Sequence, residues 1–435
     1  MVGRWLAMIK TGPIIAGVLV VIAIAALQFA AIPGFDRLGL MVFDSYQNAA
    51  PRAYQDAGVR IIDIDEESVE RLGQWPWSRT EIAKLTQRLS DAGAAAIAFD
   101  IVFSEPDRTS PRQIAARLPQ EEGNEDLLRS LSDLPDNDDI LADSFALAPV
   151  VGGFFLLHED RGDPIELPTG MAVLGSPPSG QVEHYQGTVQ SLPQLQQASA
   201  GLGSLSIVGD ADGILRRAPL VFFHKDKLVP SLSLEALRVA QQAGSILVKT
   251  SDGSGETAGA PGSIVSLKVG DFEVPTTAAG ELWMHFSEPA PERTIPAWKL
   301  LSDDISEEEI RAAVEGQIVF VGASATGLRD LISTPLNENE PGVIVHAQAA
   351  EQMILGEFLT RPDWAPGMEF FLILLLGGGL ALLLPGAGAT IGAAIGTVAT
   401  LAVAAGSWLA FDQLHYLLDP TWPILALILV YAVQT

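Results

Sequence analysis

The 435-residue chain contains no cysteine, which limits its chemistry from the outset. Without cysteine there is no disulfide framework, no thiolate nucleophile and no cysteine-based metal site. An oxidising compartment is compatible with this composition.

The sequence also lacks the signatures of common enzymes. It has no phosphate-binding P-loop, no zinc-protease helix and no kinase or cyclase signature. Gly201-Leu202-Gly203 lacks the third glycine of a dinucleotide site. The six histidines are scattered singly, and Ser324 has no base near it in the sequence. We therefore predict no active site within these residues, and a membrane-tethered hydrolase is a disfavoured function.

Positive charge is scarce. The chain has 26 Lys and Arg residues against 53 Asp and Glu residues, a formal net charge of −27. Nearly all of the excess lies between Asp36 and Asp363, which argues against nucleic acid or an anionic membrane surface as a partner of that region. Divalent or organic cations fit better. The alternative is that an acidic surface simply keeps the domain soluble.

Apolar residues, by contrast, are abundant and lie mostly at the two ends of the chain. Hydrophobic residues make up 48% of the sequence, and the mean hydropathy is +0.28. Residues 13–33 form an apolar run preceded by Arg4 and Lys10, which predicts a first transmembrane helix with residues 1–12 in the cytoplasm. A cleaved signal peptide is the alternative, but the run exceeds the usual apolar core of about 7–15 residues.

Three further apolar segments, 366–385, 388–411 and 420–435, predict transmembrane helices 2 to 4. The last is shorter than the roughly 20 residues of a span, and no Lys or Arg follows Arg361, so we expect a truncated fourth helix. Both termini are then cytoplasmic. Small residues recur every fourth position, which predicts close helix packing at Gly388, Gly392 and Gly396.

The intervening residues 34–364 have the composition of an α/β domain, which the first helix places in the periplasm. Residues 59–64, 95–100 and 317–322 are short apolar strand candidates. The first two are joined by a segment with Ile82, Leu85 and Leu89 at helical spacing, which predicts a right-handed βαβ unit. The expected fold is an extracytoplasmic α/β domain with a mainly parallel central sheet and four transmembrane helices.

Polar side chains follow the three predicted strands, where α/β sheets usually bind ligands. The candidate ligand-binding residues here are Asp63, Asp65, Glu66, Asp100, Glu105, Ser324, Arg329 and Asp330. Carboxylates from different strand ends suit Ca²⁺ or Mg²⁺, and Asp65, Asp100 and Asp330 are the candidate metal ligands. The same groups could hold a small ammonium ion, pair with arginines to lock the loops, or cap helices.

The first loop adds Trp75, Trp77 and Arg79 to the candidate ligand-binding residues, with Ser78 as a helix cap. The two indoles could form a pocket wall or simply cover the sheet. Arg79 could pair with the nearby carboxylates.

Several of these segments together resemble a known family. They are Asp63-Ile64-Asp65-Glu66, Gly73-Gln74-Trp75-Pro76-Trp77-Ser78-Arg79, Ala98-Phe99-Asp100-Ile101-Val102-Phe103, Asp210-Ala211-Asp212-Gly213-Ile214-Leu215-Arg216-Arg217-Ala218-Pro219-Leu220, and Val321-Gly322-Ala323-Ser324-Ala325. Their order resembles the extracellular sensing domain of the second type in the CHASE group, over about residues 43–359. Such domains lie between one N-terminal and three C-terminal membrane helices.

The resemblance implies a function as well as a fold. Sensors of this family lead into a cytoplasmic class III adenylyl cyclase, a histidine kinase or, less often, another effector. We therefore expect the sensory and transmembrane portion of a bacterial inner-membrane receptor, with a class III adenylyl cyclase as the first choice of output and a histidine kinase as the second. A homodimer is expected, with no cofactor here beyond a possible Ca²⁺ or Mg²⁺. ATP with Mg²⁺ or Mn²⁺ belongs to the expected effector. The alternative is an envelope scaffold that binds another protein.

Overall fold

The computed structural model describes residues 2–30, 36–118, 125–178, 180–253, 260–302, 305–328 and 330–435. They divide into two compact units. The membrane unit comprises Met1–Arg52 and Leu359–Thr435, and the sensor unit comprises Ala53–Phe358.

The helices in chain order are α1 (Val2–Phe29), α2 (Asp36–Ala49), α3 (Glu66–Leu72), α4 (Arg79–Asp91), α5 (Pro111–Arg117), α6 (Glu125–Ser132), α7 (Asn137–Ala146), α8 (Pro193–Ala198), α9 (Leu232–Ala240), α10 (Ala297–Leu301), α11 (Glu307–Val314), α12 (Gly342–Leu355), α13 (Ala365–Leu372), α14 (Gly378–Ala387), α15 (Ala389–Leu414) and α16 (Thr421–Gln434). A short 3-10 helix covers Pro291–Arg293, and a π-helical turn, Ile373–Gly377, joins α13 to α14.

The strands are β1 (Val59–Ile64), β2 (Ala96–Phe99), β3 (Val150–Leu157), β4 (Met171–Leu174), β5 (His184–Tyr185), β6 (Gly187–Val189), β7 (Gly201–Ser204), β8 (Arg217–Pro219), β9 (Val221–His224), β10 (Lys227–Pro230), β11 (Ile246–Thr250), β12 (Ile264–Val269), β13 (Phe272–Pro275), β14 (Glu281–Trp283), β15 (Thr294–Pro296), β16 (Ile318–Ala323), β17 (Leu331–Ile332) and β18 (Glu340–Pro341).

In the membrane unit, three described segments are long and apolar enough to cross a bilayer: Thr11–Phe29, Ala365–Ala387 and Ala389–Leu414. They correspond to the first three predicted transmembrane helices, although residues 31–33 of the first prediction lie outside the described residues. The fourth predicted helix forms as α16, but its 14 residues fall short of a span. Among the described residues, three helices are therefore long enough to span, and the fourth is short, as the sequence predicts.

The glycines at the start of α15 have two different roles. Gly388 joins α14 to α15 with a φ of +83°, a conformation that favours glycine. A Cβ on Gly392 would overlap the Leu384 side chain of α14, and one on Gly396 would lie 3.8 Å from Leu380. Gly392 and Gly396 thus lie where α14 and α15 approach, whereas Gly388 makes the turn before them.

Aromatic side chains join α2 to the C-terminal half of α15. Tyr46 contacts Trp408 with ring centroids 5.2 Å apart, and Phe43 contacts Phe411 at 6.4 Å. The Tyr46 hydroxyl donates a hydrogen bond of 3.1 Å to the Ser407 hydroxyl. Tyr and Trp clusters of this kind are typical of a membrane–water interface.

In the sensor unit, a seven-stranded sheet has the order β15-β1-β16-β2-β3-β6, with β7 also pairing with β3. Its pairings are parallel except for β3 with β6, so the sheet is mixed. The three predicted strands are present and parallel, but β16 lies between β1 and β2. The βαβ unit built on α4 therefore skips one strand position.

Both faces of this sheet are buried, as its apolar strands predict. Val59 and Ile61 of β1 join an apolar cluster that includes α9 and α12 residues. Ile62 and Ile64 join a second cluster that includes α4 and α7 residues. Smaller sheets, β10-β9-β5 and β13-β12-β11-β4, complete the unit together with the pairs β14-β8 and β17-β18.

Helix α12 lies directly on the central sheet. A Cβ on Gly322 of β16 would come within 2.6 Å of Val343 Cβ, so glycine is required for this close approach. The helix is about 21 Å long by its 14 residues and ends at Gly356 with a φ of +71°. Only a few residues separate that end from Leu359, where the second part of the membrane unit begins.

Candidate functional site at the strand ends

The ends of β1 and β16 are joined by Asp63. Its Oδ1 accepts a hydrogen bond of 3.0 Å from the Ser324 backbone N–H, and its Oδ2 accepts one of 2.6 Å from the Ser324 hydroxyl. Burial raises the pKa of Asp63, and the nearby Asp65 and Glu66 carboxylates add to this rise, although the bonds from Ser324 oppose it. The first and third predicted segments are thus brought together.

The next two acidic residues are held by backbone groups. Asp65 caps α3, since its Oδ1 accepts a 2.8 Å hydrogen bond from the Ser68 N–H. Glu66 Oε1 accepts a 2.6 Å bond from the Thr326 N–H and a 2.5 Å bond from the Thr326 hydroxyl. Asp65 therefore has the capping role that the sequence left as an alternative, and Glu66 holds the loop after β16.

Asp100, at the end of β2, faces the start of α12. Its Oδ2 lies 3.8 Å from the position that a Cβ on Gly342 would take, and the Gly342 N–H donates a 3.1 Å bond to the Asp330 carbonyl. Burial of the carboxyl raises the pKa of Asp100 to about 8, and the Asp330 charge contributes to this rise. Asp100 and Asp330 are therefore electrostatically coupled beside the first turn of α12.

The remaining candidates form a separate group around Arg79. The buried Arg79 lies 3.3 Å through Nε from Asp138 Oδ1, and its Nη2 donates a 3.0 Å bond to the Glu105 backbone carbonyl. Its backbone N–H donates a 2.8 Å bond to Asp107. Glu105 thus takes part through its main chain, and Arg79 locks loops together, as one of the sequence alternatives proposed.

Asp107 is the acceptor at the centre of this group. Burial alone would raise its pKa, but hydrogen bonds from the Arg79 and Thr109 N–H groups and from the Asn137 amide outweigh burial and lower it to about 2. The Asn137 bond is 2.9 Å long. This carboxylate stays ionised and has its hydrogen-bonding capacity used by the protein itself.

The two tryptophans cover the core. Trp77 is buried and donates a 2.9 Å hydrogen bond from Nε1 to the Gly73 carbonyl. Trp75 packs edge-on against it, with ring centroids 5.3 Å apart. Trp77 belongs to the apolar cluster that contains α4 and α7 residues, so this pair covers the sheet.

Within the described ranges, no group of three or more His, Asp or Glu side chains is placed to hold a metal ion. Asp65 accepts the hydrogen bond that caps α3. The charge of Asp330 acts on Asp100. Arg329, another predicted ligand-binding residue, lies outside the described residues.

The region beneath the strand ends is closely packed. The crevice lined by Phe99, Phe103, Phe145 and neighbouring side chains leaves about 0 Å³ for a water molecule. Phe99 and Phe145 stack with ring centroids 5.2 Å apart. A molecule larger than an ion does not fit beneath β2 without displacing these rings.

Sequence reasoning missed Thr326, Asn137, Asp138 and Gly342 as members of these arrangements. Asn137 and Asp138 begin α7, about 30 residues beyond the loop that they hold, so no local spacing connects them. Gly342 follows Pro341 at the start of an apolar helical pattern, which is a usable helix-start signal.

Comparison with known proteins gives one family. A family model described as CHASE2 domain matches residues 17–383. No curated protein and no solved structure matches the chain.

Proposed function

Because the chain belongs to the CHASE2 domain family, we propose that it is the sensory and membrane-spanning portion of a bacterial receptor whose output is a class III adenylyl cyclase. CHASE2 is an extracellular sensor domain of receptor-type signalling proteins. The cyclase would convert ATP to cyclic AMP with Mg²⁺ or Mn²⁺, and it would require a homodimer because class III sites form between two catalytic domains.

One observation carries the sensing part of this proposal: α12 connects the strand-end region to the chain segment that enters the membrane unit. Its first residue, Gly342, lies against Asp100, and its last turn ends at Gly356. A change in charge or occupancy beside Asp100 therefore acts on the first turn of a helix whose other end precedes Leu359.

The C-terminal half of α12 is held by a buried polar network. Glu351 accepts two bonds from Arg293, of 2.6 Å from Nε and 3.0 Å from Nη2, and both side chains are buried. Gln348 accepts a 2.8 Å bond from the Ser287 N–H. Because a buried pair is costly to separate, we expect α12 to move together with the segment that carries Arg293.

A divalent cation between Asp100 and Asp330 is one stimulus that this arrangement supports. Two coupled carboxylates beside a helix start would be relieved of their repulsion by Ca²⁺ or Mg²⁺. With two described carboxylates, the remaining ligands would be water or backbone carbonyls. This cation stays a proposal.

The membrane arrangement in this proposal places residues 1–12 in the cytoplasm and the sensor unit in the periplasm of the inner membrane. The absence of cysteine permits a direct test. In cells with a permeabilised outer membrane, Gly244→Cys should react with a membrane-impermeant maleimide, whereas Gly3→Cys should react only after lysis. The reverse pattern would refute this orientation.

The output is tested with the full reading frame expressed in cells that lack their own adenylyl cyclase. We expect cyclic AMP, and we expect Asp100→Asn to change its level at equal receptor abundance, with Gly244→Ala as the control. If the receptor autophosphorylates on histidine and makes no cyclic AMP, the output domain is a histidine kinase and not a cyclase. If the cells show neither cyclic AMP nor histidine autophosphorylation, the result favours the scaffold alternative.

A further inference from the structure

Two small sheets of the sensor unit face each other across an unfilled volume. Met171 and Val173, two residues apart on β4, share one face of that strand. Phe223 and Leu228 are cross-strand partners in the β9–β10 hairpin and share one face there. All four line the same cavity, here called the intersheet cleft.

The cleft has a volume of about 440 Å³, within the usual range of small-molecule sites. Its inner wall is part of the core, since Val229 and Ile165 are at most 1% exposed. Its outer wall is open, since Val173 is 37% exposed. Protein interiors are normally filled to near-crystalline density. The apolar walls of this cleft therefore lack van der Waals contacts that a bound molecule could supply.

The chemistry of the walls limits the occupant. Ten of the twelve described lining residues are Ile, Leu, Val, Met, Phe, Pro or Gly, none of which has a side-chain hydrogen-bonding group. The other two, Asp226 and Lys227, are exposed, adjacent in sequence and opposite in charge, so their charges largely cancel at the rim. An ionised ligand would lose part of its water in this cleft without gaining an oppositely charged side chain on the inner wall.

We propose that the intersheet cleft binds an uncharged, largely apolar small molecule, and that this is the ligand site of the sensor. The assignment as a sensor ligand rests on the proposed function above, whereas the binding itself does not. A ligand wedged between β4 and the β9–β10 hairpin would add contacts to both sheets and so fix their separation.

Met171 supplies a direct reporter. The full chain, in lipid nanodiscs and labelled at the methionine methyl groups, is titrated with naphthalene while methyl NMR spectra are recorded. We expect a saturable shift of the Met171 methyl, with no shift of the buried Met284 and Met353 methyls. The charged counterparts 2-naphthoate and naphthylmethylammonium should bind at least tenfold more weakly.

A matched pair of variants locates the binding. A Cβ added at Gly170, which lines the cleft, or at Gly244, which does not, meets no atom within 4 Å. Gly170→Trp should weaken naphthalene binding at least tenfold, and Gly244→Trp should leave it within twofold. An unmoved Met171 methyl, equal binding in both variants, or equal binding of the charged compounds would each overturn the proposal.

These readouts separate three failures. If naphthalene binds as expected but never changes cyclic AMP production, the binding stands and the assignment of the cleft as the sensor's ligand site fails. If no cyclic AMP is made at all, the proposed receptor function fails and the binding still stands. If Met171 does not shift, the cleft assignment fails whatever the output domain does.

Discussion

The strand-end region and the intersheet cleft belong to the same sensor unit but use their atoms in opposite ways. At the strand ends, Asp63, Glu66 and Asp107 accept hydrogen bonds from the protein itself, and the crevice beneath leaves about 0 Å³ for water. The cleft has about 440 Å³ and mostly apolar walls. The charged side chains therefore hold the strand ends and their loops together, whereas the apolar cleft has room for an occupant.

In the proposed receptor, this contrast would give the two regions different parts of sensing. Asp100 lies against Gly342 at the start of α12, so a change there would act on that helix. The cleft lies among β4, β9 and β10, where a ligand would be received. The two regions can be compared by measuring how much stability is lost when a side chain is enlarged in each of them.

The largest expected difference comes from adding the same side chain in both regions. Gly322→Val places a Cβ 2.6 Å from Val343 Cβ, between β16 and α12, and overpacking should destabilise the sensor unit by about 3 kcal/mol. Gly170→Val meets no atom within 4 Å and should cost less than about 0.5 kcal/mol. Thermal unfolding of the full chain in nanodiscs measures both stability losses. Equal losses would show that the two regions do not differ in how tightly they are packed.

A smaller effect is expected from the hydrogen bonds that join β1 to β16. Asp63→Ala leaves the Ser324 N–H and hydroxyl without their acceptor and should cost about 2 kcal/mol. Ser324→Ala removes the hydroxyl bond alone and should cost about 1 kcal/mol. If Asp63→Ala were no worse than Ser324→Ala, the carboxylate would not be the connection between the strand ends.

The sequence predicts the central strands well because their apolar runs are local. The predicted strand 59–64 coincides with β1, and 95–100 and 317–322 differ from β2 and β16 by a residue or two. The position of β16 between β1 and β2 was missed, because strand order depends on contacts more than 200 residues apart in sequence. The 14-residue α16 is shorter than a span, as the apolar segment 420–435 predicts.

The candidate site was only partly predictable for a related reason. Strand-end position correctly brings Asp63 to Ser324 and Asp100 near Asp330, because parallel strands end at one edge. The pairing of Arg79 with Asp138 and of Asp107 with Asn137 was not predictable, because Asn137 and Asp138 come from a distant helix start. The cleft was missed altogether, since its walls come from short segments around Met171 and Leu228 that carry no charged motif.

The last effect is a pH dependence of stability that comes from Asp100, beside the start of α12. Its pKa is raised to about 8 in the fold, against about 3.9 in an unfolded chain, so the native state retains a proton that the unfolded state loses. Stability from this group is complete below about pH 4 and is lost as the pH rises toward 8, by at most about 1.4 kcal/mol per pH unit.

Asp100→Asn should remove this slope. The difference in unfolding midpoint between the variant and the unsubstituted protein should therefore grow in the variant's favour from pH 5 to pH 8 and then level off. Asp330→Asn should shorten the pH range over which stability falls without abolishing the fall, because burial is the larger cause of the raised pKa of Asp100 and the Asp330 charge the smaller. If Ca²⁺ or Mg²⁺ binds between the two carboxylates, millimolar cation should stabilise the native chain at pH 8 and leave Asp100→Asn unchanged. Parallel pH profiles for all three chains would show that Asp100 is ordinarily ionised beside α12, and the strand ends would then differ from the cleft in packing alone.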